Sequence, residues 1–401
     1  MSVYPSGLDT FTPVVSGVSQ VRSVDINDLQ AAIAATQSTI GVSGNYNFVP
    51  SVMELQATNI VTGIAGSVTA VVIHNGVAYV GGSFTSINGV ARTGLAAIDL
   101  SNNSVITSFN ANVLSQDGNG PSVASLSVAD SNNLLVGGDF TISGSSVVIT
   151  GLASVGLATG ALNESFNANL TPAPYGNLSV DKILIDGSSI FIGGFYNGLF
   201  NNVDKLNKNT GALDGVFPSL TDRTIKTWAV DDGKLFIDNS STHNTQWFLS
   251  TTDGSTVQTL NSYGIGDYYP KSGGAYFAGG TQFTVVGGAN RNGVAKVSDK
   301  NSIQTSFVYE FYLKSPLAAS IYFFSFYKNY IIFNSNGEYC IYICRASDCS
   351  IVAKIQAPAG FYVLQTGVEV AGDTLYLGGP FQQLGNNATY GFSKIDLSVL
   401  P

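Results

Sequence analysis

The chain alternates apolar and polar residues with a period of two over many short runs, and clusters of Gly, Asn, Asp and Ser separate the runs. The stretch "SVTAVVIHNGVAYVGGSF" (67–84) holds two such runs joined by a turn at "HNG". Alternation of this kind is typical of β-strands, and an Asn-Gly pair favours a tight hairpin turn. The pattern therefore predicts a protein built from short antiparallel strands.

One motif recurs along the chain: apolar residues, a Gly-Gly pair and, after one more residue, an aromatic residue. It reads "YVGGSF" at 79–84, "LVGGDF" at 135–140, "FIGGFY" at 191–196 and "YLGGPF" at 376–381. The Gly-Gly pairs taken as clear copies of the motif begin at 81, 137, 193, 279 and 378, and the two wide gaps each hold a degenerate copy, "KLFIDNS" (234–240) and "NYIIFNSN" (329–336). One four-stranded unit cannot bury its faces alone, so we expect the copies to stack.

Seven such units predict a seven-bladed β-propeller of four-stranded antiparallel blades over residues 51–401, and six or eight blades fit less well. We expect the glycines to admit the inner strands of adjacent blades and the aromatic residue to be a wedge between blades. The last unit has a third strand, "TYGFSKIDL" (389–397), but no fourth. We therefore expect a strand within about 51–63 to complete it and to close the ring.

The first unit, "YVGGSFTSINGVARTGLAAIDL" followed by "SFNANV", resembles the delta-sixty repeat of bacterial β-propellers. The match is close in the first two units, weaker in the third and last, and poor in units four to six. The basic residue that follows Asn-Gly in that family is present as Arg92, whereas Arg291 directly precedes the Asn-Gly pair at 292–293. The resemblance implies a scaffold and no particular chemistry.

Residues 1–50 differ in kind from the repeats. Pro5 and Pro13 exclude a helix at the start, whereas Ser23 as an N-cap predicts a short helix over about 24–40. Apolar residues on this helix step by three and four and form a seam: Ile26, Leu29, Ile33 and Ile40. The seam is too short to hold chains together alone, so we expect a homo-oligomer, a trimer, only in an assembled particle. Alternatively, the helix packs on its own propeller.

The same segment resembles the N-terminal attachment segments of tailed-bacteriophage fibres and other virion appendages. The shared phrases are "YPSGLDTF" (4–11) and "DINDLQAAIAATQSTIG" (25–41). The resemblance implies that residues 1–50 attach the chain to another virion protein. Its docking residues would be Tyr4, Pro5, Leu8 and Phe11.

Composition excludes several classes of function. Charged residues are 11% of the chain, the net charge is −9 and no segment concentrates Lys or Arg, which argues against a nucleic-acid partner. The most apolar stretch, "IYFFSFYKNYIIF" (321–333), is too short to span a membrane. The first twenty residues lack the features of a secretory signal, so we expect synthesis in the cytoplasm of the host.

Three cysteines lie within ten residues, at Cys340, Cys344 and Cys349. A metal site would need a fourth ligand nearby, and both histidines are distant in sequence. Cys344 and Cys349 could form a disulfide across the turn "RASD", or all three could be buried thiols of a hairpin. We expect neither a metal nor a cofactor.

Catalytic candidates are sparse. The chain has no nucleophile elbow, P-loop or zinc-binding helix. A pair of carboxylates for glycoside hydrolysis could come from Asp181, Asp204, Asp231 and Asp232, although turn and loop roles explain them better. Two loops rich in aromatic residues offer ligand contacts, which would otherwise be blade core: Trp247, Tyr263, Tyr268 and Tyr269.

Together these features predict a non-enzymatic structural protein of a bacteriophage virion, a fibre or appendage of the tail or head. Its partners would be other virion proteins and a glycan or protein of the host surface. A bacterial adhesion or carbohydrate-binding propeller, secreted or at the cell surface, is the alternative, which the missing signal peptide weakens.

Overall fold

A computed structural model describes residues 52–171, 178–196, 199–217, 228–231, 233–238, 245–263, 267–271, 275–279, 285–286, 294–298, 302–303, 324–335, 340–347, 350–356, 367–381, 383–384 and 387–401. These residues form strands, turns and connections but no helix. The all-β prediction is therefore confirmed for this part of the chain. The helix predicted over 24–40 lies outside the described residues.

The strands are numbered in chain order. From residue 53 to 156 they are β1 (Met53–Glu54), β2 (Thr58–Asn59), β3 (Val68–His74), β4 (Val77–Gly82), β5 (Ser86–Ile87), β6 (Val90–Ala91), β7 (Leu95–Asp99), β8 (Ser104–Val105), β9 (Ser122–Val128), β10 (Asn133–Ser143) and β11 (Val148–Gly156). From 179 to 303 they are β12 (Ser179–Asp186), β13 (Ser189–Tyr196), β14 (Leu199–Asn207), β15 (Trp228–Asp231), β16 (Lys234–Asp238), β17 (Thr245–Ser250), β18 (Thr256–Tyr263), β19 (Asp267–Lys271), β20 (Ala275–Gly279), β21 (Val285–Val286), β22 (Val294–Ser298) and β23 (Ser302–Ile303). From 324 onwards they are β24 (Phe324–Tyr327), β25 (Tyr330–Ser335), β26 (Cys340–Arg345), β27 (Ile351–Gln356), β28 (Gly367–Ala371), β29 (Thr374–Gly378), β30 (Gln383–Leu384), β31 (Asn387–Ala388) and β32 (Phe392–Asp396).

Within the described residues the strands form seven sheets of three to five strands and two separate hairpins. The sheets are numbered I to VII along the chain, and the strands of each are given in their spatial order. They are β3–β4–β7–β8 (I), β9–β10–β11 (II), β12–β13–β14 (III), β15–β16–β17–β18–β21 (IV), β19–β20–β22–β23 (V), β24–β25–β26–β27–β1 (VI) and β28–β29–β32–β2 (VII). The hairpins are β5–β6, between β4 and β7, and β30–β31, between β29 and β32. Each sheet begins with an antiparallel hairpin, as the alternating pattern predicts.

The repeated Gly-Gly motif lies in the second strand of its sheet. The four intact copies fall in β4, β10, β13 and β29, and the pair at 279 begins at the end of β20. The two degenerate copies occupy β16 and β25, which are likewise second strands between a first and a third strand. The spacing of the motif therefore located these strands correctly, even where the glycines are replaced.

The first glycine of the pair makes room for the neighbouring sheet. A Cβ atom on Gly137 would lie 2.7 Å from the carbonyl oxygen of Val180, in the first strand of sheet III. A Cβ on Gly81 would clash with Val123 in the first strand of sheet II. Real Cβ atoms are not found at such distances, so a glycine is required here. The predicted crowding of inner strands is confirmed at these joints.

The aromatic residue of the motif is buried between sheets. Phe140 of sheet II packs in one cluster with Tyr79 and Leu95 of sheet I. The other three wedge residues are also buried, each in a cluster with the preceding sheet: Phe84 with sheet VII, Tyr196 with sheet II and Phe381 with sheet VI. The core of this fold therefore lies between sheets, and the motif contributes a buried aromatic residue at these four joints.

The first strands of the sheets contact one another in a fixed order. β3 contacts β9, β9 contacts β12, β12 contacts β15, β15 contacts β19, β19 contacts β24, and β24 contacts β28. β28 of sheet VII also contacts β3 of sheet I. Hydroxyl groups support two of these contacts, since Thr69 Oγ1 donates to Val123 O at 2.7 Å and Ile183 N donates to Ser125 Oγ at 3.1 Å.

Candidate closure and attachment site

The predicted docking and seam residues lie outside the described part of the chain. This applies to Tyr4, Pro5, Leu8 and Phe11 and to Ile26, Leu29, Ile33 and Ile40. Their roles stay predictions.

The four aromatic residues predicted in ligand-contact loops lie in strands. Trp247 is in β17, where it is half-buried and packs on the cluster that joins sheets III and IV. Tyr263 ends β18, and Tyr268 and Tyr269 belong to β19, the first strand of sheet V. The loop placement was wrong because the alternation in these stretches belongs to strands. A ligand contact for them stays a prediction.

The acidic residues weighed as a catalytic pair also lie in strands, and Asp232 is outside the described residues. Asp181 lies in β12 and accepts a hydrogen bond from Ser179 Oγ at 2.6 Å. Asp204 is buried in β14 and interacts with the hydroxyl group of Tyr196, which donates to Ile192 O at 3.2 Å. Burial, and after it the charge of Asp204, raises the pKa of Tyr196. Turn roles therefore do not account for Asp181 and Asp204.

Tyr196 and Asp204 replace two apolar residues of the repeat. Tyr196 stands where sheets I and II have Phe84 and Phe140. Asp204 pairs with Ile192 as Ala153 pairs with Val136 in sheet II. The added hydroxyl lies next to the added carboxylate in the core and also bonds Ile192 O, so neither polar group is buried alone. The arrangement is structural.

Residues 53–65, here called the strap, contact three sheets in succession. β1 pairs in parallel with β27 of sheet VI, and β2 pairs antiparallel with β32 of sheet VII. Ile64 then forms a bridge with Ile87 in the β5–β6 hairpin next to sheet I. The strap therefore connects the outer edge of sheet VI to the first strand of sheet I, by way of the last strand of the chain.

Alternating burial holds the strap in place. Leu55 and Ala57 are buried in the cluster shared by sheets VI and VII, and Ile60 and Val61 are buried in the cluster shared by sheets VII and I. Removing these side chains from water favours the docked strap at about 25 cal/mol per Å² of apolar surface. The signal for this was the run "SVMELQATNIVTG" (51–63).

Side-chain amides fix the register of the strap on sheet VII. Asn59 Nδ2 donates to Ala388 O at 2.8 Å, and Asn387 Nδ2 donates to Ala57 O at 2.7 Å. Ser393 Oγ donates to Asn59 Oδ1 at 3.2 Å. These three hydrogen bonds join positions more than 300 residues apart in the chain, so they are specific to this pairing.

A second amide residue fixes the strap beside sheet I. Asn88, at φ +50°, begins the turn of the β5–β6 hairpin with Gly89. Its Oδ1 accepts a hydrogen bond from Thr62 N at 2.6 Å, and its backbone N–H donates to Gly63 O at 2.9 Å. The Asn-Gly pair of the repeat therefore also binds the strap.

The C-terminal residues lie on the same two sheets as the start of the strap. Leu397 is buried in the cluster of sheets VI and VII, and the hydroxyl of Tyr330 donates a hydrogen bond to the carbonyl oxygen of Pro401. Tyr327 Oη donates to Asp373 Oδ1 at 2.6 Å, and Lys328 Nζ lies 3.0 Å from the same oxygen. The Tyr327 hydrogen bond, and after it Lys328, lowers the pKa of Asp373. No pattern along the chain predicts this cluster.

Two of the three cysteines are described, and both lie in β26. Cys340 and Cys344 are buried thiols. Cys344 is therefore not in a disulfide in this structure, and Cys349 lies outside the described residues. The part of the chain that is described holds no group of three side chains that could bind a metal ion. Nor does it hold a helix long and apolar enough to cross a membrane.

No protein-family model matches this chain, and no curated protein matches it in sequence. Solved structures are similar to it in fold. The Cps50 (Swd1) β-propeller domain of Myceliophteria thermophila has a TM-score of 0.50 at 11% identity, over 84% of this chain and 98% of that one. BamB of Moraxella catarrhalis has a TM-score of 0.43 at 14% identity, over 88% of this chain and 94% of that one. A computationally designed protein, Ika8, has a TM-score of 0.47 at 12% identity, over 85% of this chain and 99% of that one.

The likeness to the Cps50 (Swd1) domain supports the architecture that the sheets display. Sheets packed face to face, each beginning at an inner strand, form a β-propeller. Similarity at this level of identity concerns the fold alone.

Proposed function

We propose that this chain is a non-enzymatic structural protein of a bacteriophage virion, a fibre or appendage of the tail or head. In this proposal a closed seven-bladed propeller, residues 51–401, is displayed on an attachment segment, residues 1–50. The segment docks on another virion protein through Tyr4, Pro5, Leu8 and Phe11. The propeller faces the host surface, and its target there is a glycan or a protein.

Three observations support the closed ring of seven. The first strands contact one another in the order of the seven sheets, and β28 also contacts β3. Gly378 of sheet VII faces Val68 of sheet I as Gly81 of sheet I faces Val123 of sheet II. The strap adds a fourth strand, β2, to a sheet with three strands of its own. A ring closed in this way leaves only short edges exposed.

The main support for display of the propeller on an attachment segment is the position of the strap. Its pairing with the rest of the fold begins at Met53. Residues 1–50 precede that point, and they are the ones that resemble virion attachment segments. A chain with a propeller and a separate attachment segment suits a displayed appendage. Trimers formed through the seam at Ile26, Leu29, Ile33 and Ile40 would fit this role.

Mass spectrometry of purified particles from the source organism tests the proposal. We expect the chain in virions at the copy number of a structural protein. Particles assembled with a Tyr4→Ala, Leu8→Ala, Phe11→Ala variant should carry little of it, because three apolar anchors are lost, at about 1.5–3 kcal/mol each. Recovery of the chain only from the bacterial surface or the culture medium would refute the virion role and favour the adhesion protein.

A further inference from the structure

β1 is not needed to complete a sheet. Sheet VI already has four strands of its own, β24 to β27, and β1 is a fifth strand at its outer edge. In contrast, β2 supplies the fourth strand of sheet VII. Closure of the fold therefore explains β2 and leaves β1 without a role.

β1 is nevertheless held firmly. Leu55, the residue after it, is 5% exposed and packs in the cluster shared by sheets VI and VII. Leu55 N donates to Lys354 O at 2.9 Å, and Lys354 Nζ lies 3.3 Å from Glu54 Oε1. A two-residue parallel strand gains little from pairing alone, so the buried leucine holds it in place.

The order of these contacts along the chain has a mechanical consequence. β1 and Leu55 lie between the attachment segment and β2. A pull that arrives along residues 1–52 reaches β1 first, because force is transmitted along the covalent chain. β2 begins to carry load only after β1 and Leu55 have separated from sheet VI.

We propose that β1 and Leu55 form a mechanical anchor that protects the closing strand β2 from forces applied through the attachment segment. The inference deepens the proposed function, since the load would come from a particle held by residues 1–50. In the absence of load, β2 and its asparagine contacts determine closure. Under load, the anchor on sheet VI determines when the strap detaches.

Single-molecule pulling on the full-length chain tests the anchor. One handle is attached at the N-terminus and the other at a cysteine introduced by Gly215→Cys, in a background with Cys349→Ser. Gly215 is suitable because a Cβ there meets open space. For the unmodified strap we expect a distinct release event at the force that separates residues 53–57 from sheet VI.

Two leucines of the same cluster provide the variant and its matched control. Leu55→Ala truncates the anchor, whereas Leu375→Ala truncates a buried leucine of β29 outside the strap. We expect Leu55→Ala to lose the release event or to shift it to lower force, and Leu375→Ala to keep it. Denaturant midpoints should fall in both variants. If either alanine variant fails to fold, Leu55→Val and Leu375→Val give the same comparison.

Equal release forces in the two variants, or release of Leu55→Ala at the unmodified force, would overturn the anchor. This outcome is distinct from a failure of the proposed function. A chain that is missing from virions leaves the pulling result unchanged, and a chain abundant in virions does not rescue equal release forces.

Discussion

The joint between sheets I and II and the joint between sheets VII and I are packed alike, although the chain is continuous through only one of them. At the first, Gly81 admits Val123 and Phe140 is the buried wedge. At the second, Gly378 admits Val68 and Phe84 is the wedge. The packing of neighbouring sheets therefore follows from the repeat itself and does not depend on the covalent path.

The two joints differ in how the outer connection is held. In sheet I, Arg92 Nε donates to Phe109 O at 2.9 Å and its Nη2 donates to Thr107 O at 2.7 Å, which binds the segment that leads to sheet II. In sheet VII, Thr389 follows β31 as Arg92 follows β6, and its Oγ1 is buried without a hydrogen-bond partner. Instead, Asn59 of the strap donates to Ala388 O, and Asn387 of the β30–β31 hairpin donates to Ala57 O of the strap. The outer connection is therefore held by an arginine of the repeat at one joint, and by amide side chains of the strap and of sheet VII's hairpin at the other.

Removal of the strap should have the largest effect. Deletion of residues 1–63 removes Leu55, Ile60 and Val61 from two clusters, at about 1.5–3 kcal/mol each. We expect the melting temperature to fall by about 6–12 °C. Deletion of residues 1–45 keeps the strap and should leave the melting temperature unchanged. Equal melting of the two truncations would show that the strap does not close the fold.

Alanine at the first glycine of the motif tests whether the joints are packed equally tightly. In Gly81→Ala and in Gly378→Ala the new Cβ meets a valine side chain of the next sheet. We expect each to cost about 2–3 kcal/mol of unfolding free energy, because a filled interior cannot accept the extra atom. Gly215→Ala, in open space, is the matched control and should be nearly neutral. A small effect at Gly378 alone, measured by urea denaturation, would show that the joint between sheets VII and I is looser.

The features that could be predicted from the sequence are those that the repeat enforces. Spacing located the second strands, including β16 and β25, because each copy must place its strand at the same point of a sheet. The strap was found because a third strand without a fourth needs a partner. The pairing of β1 with sheet VI was missed because that sheet already has four strands of its own and nothing in its sequence calls for a fifth.

The candidate ligand residues show that composition alone does not predict whether an aromatic residue lies in a loop or in the core. Trp247 was assigned to a loop because aromatic residues serve both binding surfaces and cores, and only tertiary contacts separate these uses. The pairing of Tyr196 with Asp204 was missed for a related reason. Each substitution looks unfavourable alone, and only their proximity in the folded chain explains them.

Arg92 and Thr389 should respond in opposite ways to loss of their polar groups. Arg92→Ala removes hydrogen bonds to Phe109 O and Thr107 O, and we expect a cost of about 2 kcal/mol. Thr389→Val removes a hydroxyl that has no partner and keeps the shape of the side chain, so we expect no loss of stability or a small gain. Urea denaturation of both variants measures the difference. A comparable loss in Thr389→Val would mean that its hydroxyl is bonded in the folded protein.

The smallest effect on stability is expected at Glu369, and it depends on pH. It lies in β28 opposite Tyr376, at the register position that Val72 occupies opposite Tyr79 in sheet I. An apolar position of the repeat therefore carries a carboxyl group beside sheet I. Burial raises the pKa of Glu369 from an ordinary 4.5 to about 7. Because the folded state holds this proton more tightly than the unfolded state, stability is lost as the pH rises from about 4.5 to 7.

Glu369→Gln should remove this loss, because glutamine keeps the size of the side chain and never ionises. We expect the variant to be more stable than the unmodified chain by about 1–2 kcal/mol at pH 8, and equal to it near pH 4.5. Glu164→Gln is the control of opposite sign. Hydrogen bonds from Ser146 and Ser145 lower the pKa of Glu164 to about 2, so its ionised form favours the folded state and its loss should reduce stability at pH 8. Urea denaturation at both pH values measures each difference. If Glu369→Gln and the unmodified chain respond identically to pH, the carboxyl group of Glu369 is solvated, and the joint between sheets VII and I is more open there than its equivalent between sheets I and II.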